Sequence, residues 1–162
     1  VVPLRNMGAA ISPFNVFLIL QGLETLPLRM DRICENTTKV AHFLQSHAKV
    51  SWVNYAGLPD HKDYPLVQKY MDGKASGILT FGVKGGLAAG GRFQDALKLF
   101  TRLVNIGDAK SLACHPASTT HRQLSPAELA KAGVSEDMIR LSIGIEHIDD
   151  LIQDLDQALS AA

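Results

Sequence analysis

Arg140-Leu-Ser-Ile-Gly-Ile-Glu146 sorts cleanly into two faces when it is laid out as a strand. Ile139, Leu141, Ile143 and Ile145 fall on one side, and Arg140, Ser142 and Gly144 on the other. The apolar side demands a core to pack against. The opposite side carries a permanent cation beside two small residues, which leave open space above the backbone. A guanidinium in that setting presents a planar fork of donors matched to a carboxylate. The competing reading is a surface pair between Arg140 and a nearby acid.

Working outward, the same periodicities predict alternating helices and strands. Ser12-Pro13 is a helix start, a capping hydroxyl followed by a proline where no amide donor is needed. That helix is expected to run to about Thr25 and to break at Pro27. Its first two turns are almost wholly apolar and need a large cover. A second helix is expected over residues 28–48, with Ile33, Thr37, Val40, Ala41, Leu44 and Ala48 inward. Strands are predicted at 50–55, 78–83 and 103–106, and a short helix at 64–71. Residues 92–100 form an amphipathic pattern with Phe93, Ala96, Leu97 and Phe100 inward. Ser125-Pro-Ala-Glu128 is a capping box whose helix ends at Gly133. A last helix buries Ile148, Leu151, Ile152, Leu155 and Leu159, with Asp149 and Asp150 at its positive end. Short connections between these elements point to an α/β chain of the α+β type, a small mixed sheet covered by helices on one face.

Composition narrows the function. The chain has 162 residues, 46% hydrophobic and 20% charged, with a formal net charge of zero. That balance excludes a polyanion-wrapping surface, so no nucleic-acid partner is expected. Residues 1–122 hold 14 basic and 8 acidic side chains, and residues 123–162 hold 2 and 8. This reads as a basic body with an acidic, mostly solvated end. Cys34 and Cys114 stand outside any Cys-x-x-Cys, which favours a reducing, cytoplasmic setting. The apolar run from Phe14 to Leu20, interrupted by Asn15, is too short to span a bilayer, so no membrane partner is expected. Val1-Val-Pro-Leu-Arg5 lacks an initiator Met and enters a helical pattern at once, as a chain cut from a longer one would.

Three groupings invite chemistry. Lys84 precedes the pairs Gly85-Gly86 and Gly90-Gly91, the wrong order for a phosphate loop, so these read as turn glycines. His115 and His121 bracket a polar loop without the further ligands that a metal needs. Cys114 beside His115 makes no nucleophile–base pair, because strand neighbours face opposite ways. The loop from His115 to Arg122 nonetheless gathers three hydroxyls, two imidazoles and a guanidinium, a lining suited to a polar anion.

Longer motifs carry a resemblance. Asn105-Ile-Gly-Asp-Ala-Lys-Ser-Leu112, His115-Pro-Ala-Ser-Thr-Thr-His121, Ser125-Pro-Ala-Glu128 and Arg140-Leu-Ser-Ile-Gly-Ile-Glu146 with Ile148-Asp-Asp150 resemble the C-terminal domain of the pyridoxal-phosphate-dependent Cys/Met metabolism family. Gly22-Leu-Glu-Thr-Leu26, Leu28-Arg-Met30 and Gly57-Leu-Pro59 match it too, so the resemblance covers nearly the whole chain. Within the family the O-acetylhomoserine sulfhydrylase branch is the most similar, since it favours asparagine at the place of Asn105 where many lyases have serine. Cystathionine γ-synthase and methionine γ-lyase are the sibling alternatives, and a non-catalytic assembly module is the third.

The resemblance implies an aspartate-aminotransferase-like fold, PLP fold type I. Residues 1–48 would be a helical arm to a cofactor domain, and residues 49–162 the substrate-carboxylate domain. It implies a homotetramer that replaces the acetyl group of an amino-acid substrate, O-acetylhomoserine, with sulfide or a thiol. Arg140 would hold the α-carboxylate, Asn105 would support that carboxylate or the arginine, and Thr120 would lie beside the same arginine. The family's Schiff-base lysine stands in a Ser-x-Thr-Lys context that surrounds none of the nine lysines here. Pyridoxal phosphate would therefore be held by an N-terminal domain of the parent chain, and this segment alone would be inactive.

Overall fold

A computed structural model describes residues 1–162, the side chain of Leu4 excepted. Three helices lead: α1 (Val2–Met7), α2 (Pro13–Glu24) and α3 (Leu26–Ser46). Then come β1 (Val50–Asn54), α4 (Tyr64–Met71), β2 (Ile78–Val83), α5 (Gly86–Ala96), β3 (Thr101–Arg102) and β4 (Leu112–Cys114). After a 3₁₀ turn at Pro116–Ser118 follow α6 (Pro126–Lys131), β5 (Met138–Ser142) and α7 (Ile148–Ser160).

The five strands form one mixed sheet in the order β1-β2-β5-β4-β3. All pairings are antiparallel except β3 with β4. Leu79, Phe81, Val83, Ala113, Ile139 and Leu141 point to one face, where they join Val40, Leu44, Phe93, Leu151 and Leu155 in a single core. Helices α3, α5 and α7 thus cover that face, as the sequence leads one to expect. Phe81 and Phe93 meet edge to face with centroids 5.5 Å apart.

The helix starts obey the local signals. The Ser12 hydroxyl accepts the Asn15 amide at 3.2 Å. Glu128 accepts from the amide and the hydroxyl of Ser125 at 2.8 and 2.7 Å, which holds its carboxyl below the usual range. Gly133, at φ 72°, ends the chain's turn beyond α6.

Several expected boundaries shift, each for a physical reason. The helix expected at 92–100 spans Gly86–Ala96 instead. The buried Asp154 carboxylate takes the amides of Lys98, Leu99 and Phe100 at 2.8–3.2 Å, and so draws those residues out of the helix. Asp154 and Ala158 occupy the buried side of α7, while Ile152 is only half-buried. Gly85 and Gly86 do form a left-handed turn, but Gly90 and Gly91 lie within α5. Gly90 is there because a Cβ would run into the His115 ring.

The strand expected at 103–106 is absent. Only Thr101 and Arg102 pair with β4, and residues 103–106 leave the sheet edge exposed. Strand β4 itself, three residues long, gave no periodic signal. Helix α3 stops at Ser46, leaving Ala48 exposed. Ile145 is exposed because the chain turns away after Ile143, its amide bonding the Ala109 carbonyl at 3.0 Å.

Asp154→Ala strands three main-chain donors. The unfolding free energy is expected to fall by about 3 kcal/mol, and by less for Asp154→Asn, which keeps an acceptor; chemical denaturation measures both. Burial holds the Cys34 thiol and the Tyr55 phenol above their ordinary ranges. The folded state then keeps protons that the unfolded chain releases. Stability is therefore expected to be undiminished below the ordinary thiol range and to fall as pH rises through it, seen as denaturation midpoints from neutral to alkaline pH.

Candidate functional site

Strand register builds the outward face. Thr80 of β2 and Cys114 of β4 stand directly opposite Arg140, and Asn54 of β1 stands opposite Thr80. A row Asn54, Thr80, Arg140, Cys114 thus crosses the sheet on the side away from the core. Asn54 donates to the Thr80 hydroxyl at 3.4 Å. The Cys114 thiol lies 3.4 Å from the Thr119 hydroxyl, which in turn donates to the His115 carbonyl at 2.7 Å.

Arg140 is half-buried. Its Nη2 donates to the Asn105 carbonyl oxygen at 3.3 Å, and among the described residues no carboxylate lies within ion-pair distance of it. A guanidinium has five N–H donors, so most of the fork is left for a ligand. The surface-pair reading does not describe this arginine.

The three expected site residues are placed differently from one another. Asn105 and Arg140 meet, but through the main chain, since the Asn105 Oδ1 accepts the Ile106 amide at 2.9 Å. The Thr120 hydroxyl pairs with His121 Nδ1 at 2.8 Å, and among the described residues no hydrogen bond joins it to Arg140. The hydroxyl that the loop sends toward the row is Thr119, by way of Cys114. Alternation along 78–83 is a sequence signal for Thr80. Nothing local marks Thr119 over Thr120.

His115 is fully buried, with Nε2 2.8 Å from the Glu136 carbonyl and Nδ1 2.8 Å from the Ser118 hydroxyl. A carbonyl only accepts, so Nε2 carries the proton, and both ring nitrogens are engaged in holding the loop. Among the described residues no group of three His, Cys, Asp or Glu side chains comes together as a metal site.

Beside the row, Trp52, Asn54, Thr80, Val134 and Met138 line an open cleft of about 530 Å³. Asp137 sets its wall. One carboxylate oxygen accepts from Trp52 Nε1 at 3.1 Å and from the Ser51 hydroxyl at 3.0 Å, and the other accepts from Ser135 at 2.5 Å. Gly82 lies beneath, where a Cβ would collide with all three of Asp137, Trp52 and Ser51.

The model of the Cys/Met metabolism PLP-dependent enzymes matches residues 2–160. The chain belongs to that family. It is 52% identical over 157 residues to O-acetyl-L-homoserine sulfhydrylase 1 of Thermus thermophilus, covering 97% of this chain and 37% of that protein. It is 55% identical over 157 residues to O-acetyl-L-homoserine sulfhydrylase of Leptospira meyeri (96% and 36%), and 46% identical over 160 residues to L-methionine gamma-lyase of Pseudomonas putida (98% and 40%). A crystal structure described as an O-acetylhomoserine (thiol)-lyase of Campylobacter jejuni, with N'-pyridoxyl-lysine-5'-monophosphate, superposes at TM-score 0.87 and 48% identity. It covers 97% of this chain and 37% of that one. The chain therefore spans a little over a third of the length of these relatives.

The family's cofactor asks for a lysine amine and a cradle of phosphate donors. No lysine lines the cleft beside Arg140. Lys39 and Lys74 pair with Glu35 and Asp31, and Lys49 and Lys84 reach main-chain carbonyls. These residues do not compose a pyridoxal phosphate site.

Trp52 is the only tryptophan and reports on the cleft wall. Asp137→Ala is expected to shift its fluorescence toward that of a solvated indole and to cost about 1–2 kcal/mol in unfolding free energy.

Proposed function

We propose that the chain is the substrate-carboxylate part of an enzyme that replaces the acetyl group of O-acetylhomoserine with sulfide or a thiol, giving homocysteine or methionine. The observation that carries this is the Arg140 guanidinium, half-buried on the outward face and without an acidic partner among the described residues. Its role is to grip the α-carboxylate of the amino acid as a bidentate fork, which fixes the orientation of the Cα substituents before any proton moves. Asn105 steadies the guanidinium through its carbonyl oxygen. Thr120 belongs to the adjoining loop, which Cys114, Thr119 and His115 hold against the sheet.

In this reading residues 1–48 are the arm toward a cofactor domain and residues 49–162 the carboxylate domain. Helix α3 serves both. Val40, Ala41 and Leu44 near its end are core, while Leu28 at its start is exposed. Pyridoxal phosphate belongs to the N-terminal domain of the parent chain, and the 162-residue chain alone is inactive. The reading also includes a homotetramer and a cytoplasmic setting. Exposed Phe14, Phe17, Leu18, Leu20 and Leu23 on α2 support an assembly surface. No helix among the described residues is long and apolar enough to cross a membrane.

Methionine γ-elimination is the second reading, supported by the 46% identity to a lyase. In the full-length enzyme, Arg140→Ala is expected to lower kcat/KM for O-acetylhomoserine by about thirtyfold or more, roughly 2 kcal/mol of transition-state binding. An unchanged kcat/KM would leave only a non-catalytic assembly role. Initial rates with O-acetylhomoserine, O-succinylhomoserine and methionine separate the sibling activities; faster turnover of the succinyl ester or of methionine would displace the sulfhydrylase assignment.

A further inference from the structure

We propose that Glu146 is a positioning residue for Arg140, acting through Ser111. The inference rests on Arg140 being the carboxylate clamp. Glu146 accepts the Ser111 amide at 2.6 Å and the Ser111 hydroxyl at 2.9 Å. The same hydroxyl oxygen accepts the Gly144 amide at 2.8 Å. Asn36 of α3, fully buried, donates to the carbonyls of Gly144 and Glu146 at 3.1 and 2.9 Å. Ile145 bonds the Ala109 carbonyl at 3.0 Å.

These bonds knot the end of β5 to the segment 105–111, which has almost no regular structure of its own. That segment supplies the Asn105 carbonyl on which Arg140 rests. Glu146 has no cationic partner among the described residues, so its charge is spent on Ser111 alone. Charge-assisted bonds of this kind are short and strong. The knot is also tight. A Cβ at Gly144 would collide with the Ala109 carbonyl oxygen, the Glu146 carboxylate and the Lys110 backbone, so the two segments touch with no room for a side chain. Releasing Ser111 lets the Asn105 end of the segment drift, and the guanidinium loses its seat while its own side chain is intact.

The test uses the full-length holoenzyme with Glu146→Gln, Ser111→Ala and Arg140→Lys, and Glu146→Gln combined with Arg140→Lys. Glu146→Gln and Ser111→Ala are each expected to raise KM for O-acetylhomoserine about tenfold and to leave KM for sulfide unchanged. Their effect is expected to disappear in the Arg140→Lys background, because the clamp is already lost. A purely structural role would lower the melting temperature with both KM values unmoved, or would lower activity equally in both backgrounds; either result overturns the proposal. Ser111→Ala carries the test if Glu146→Gln fails to fold. Should Arg140→Lys itself leave KM for O-acetylhomoserine unchanged, the clamp assignment falls, and the proposal with it. If Arg140→Lys raises that KM and neither Glu146→Gln nor Ser111→Ala does, positioning alone is refuted.

Discussion

The register of β5 is the constraint on which the site depends. Ile139 and Leu141 are completely buried on the helix-covered face, and each contributes about 1.5–3 kcal/mol by leaving water. A slip of one residue would expose both and drive Arg140 into an apolar core, where an unpaired charge costs several kcal/mol more. The two penalties add, so the strand has one workable pairing with β2 and β4. That pairing sets Arg140 between Thr80 and Cys114. The apolar half of the strand thereby aims the polar half, and the site inherits the rigidity of the core beneath it.

Carboxylates tie the irregular segments to this scaffold. Asp154 collects three consecutive amides after α5, Glu146 holds Ser111, and Asp137 gathers Trp52, Ser51 and Ser135. All three lie in the acidic last forty residues, which the charge pattern alone presents as a solvated end. Part of that charge faces inward instead. A carboxylate accepts several bonds at once, so a single residue can satisfy a stretch of backbone that has no strand or helix partner. None of these three carboxylates pairs with Arg140, whose Nη2 donates to the Asn105 carbonyl instead.

The leading helices obey a different logic. In α2 no residue is buried, although six large apolar side chains between Phe14 and Leu23 point outward. Helix α3 begins exposed and ends in the core, and so ties the outer helix to the sheet. Among the described residues nothing covers the apolar surface of α2, and the relatives that the chain matches are more than twice its length.

Much of the fold was legible because it rests on local rules. The Ser12-Pro13 start, the Ser125–Glu128 capping box, the Gly133 stop and the alternation in 78–83 and 139–143 all act over a few residues, and all appear as expected. Arg140 could be singled out for the same reason, by its place opposite an apolar face. Other features needed the folded chain. Helix α5 ends early because Asp154, more than fifty residues away, competes for its amides. Strand β4 is too short to show a period and exists because β5 offers it a partner. Thr119, not Thr120, reaches the Arg140 row, a choice made by the 3₁₀ turn and the buried His115. The sequence by itself determined which face of each strand is apolar and that Arg140 is the cation opposite the apolar face of its strand, since alternation and charge are written residue by residue. Only tertiary structure decided what stands beside that cation, because its neighbours arrive from β2, β4 and the 105–111 segment through hydrogen bonds between residues far apart in the chain.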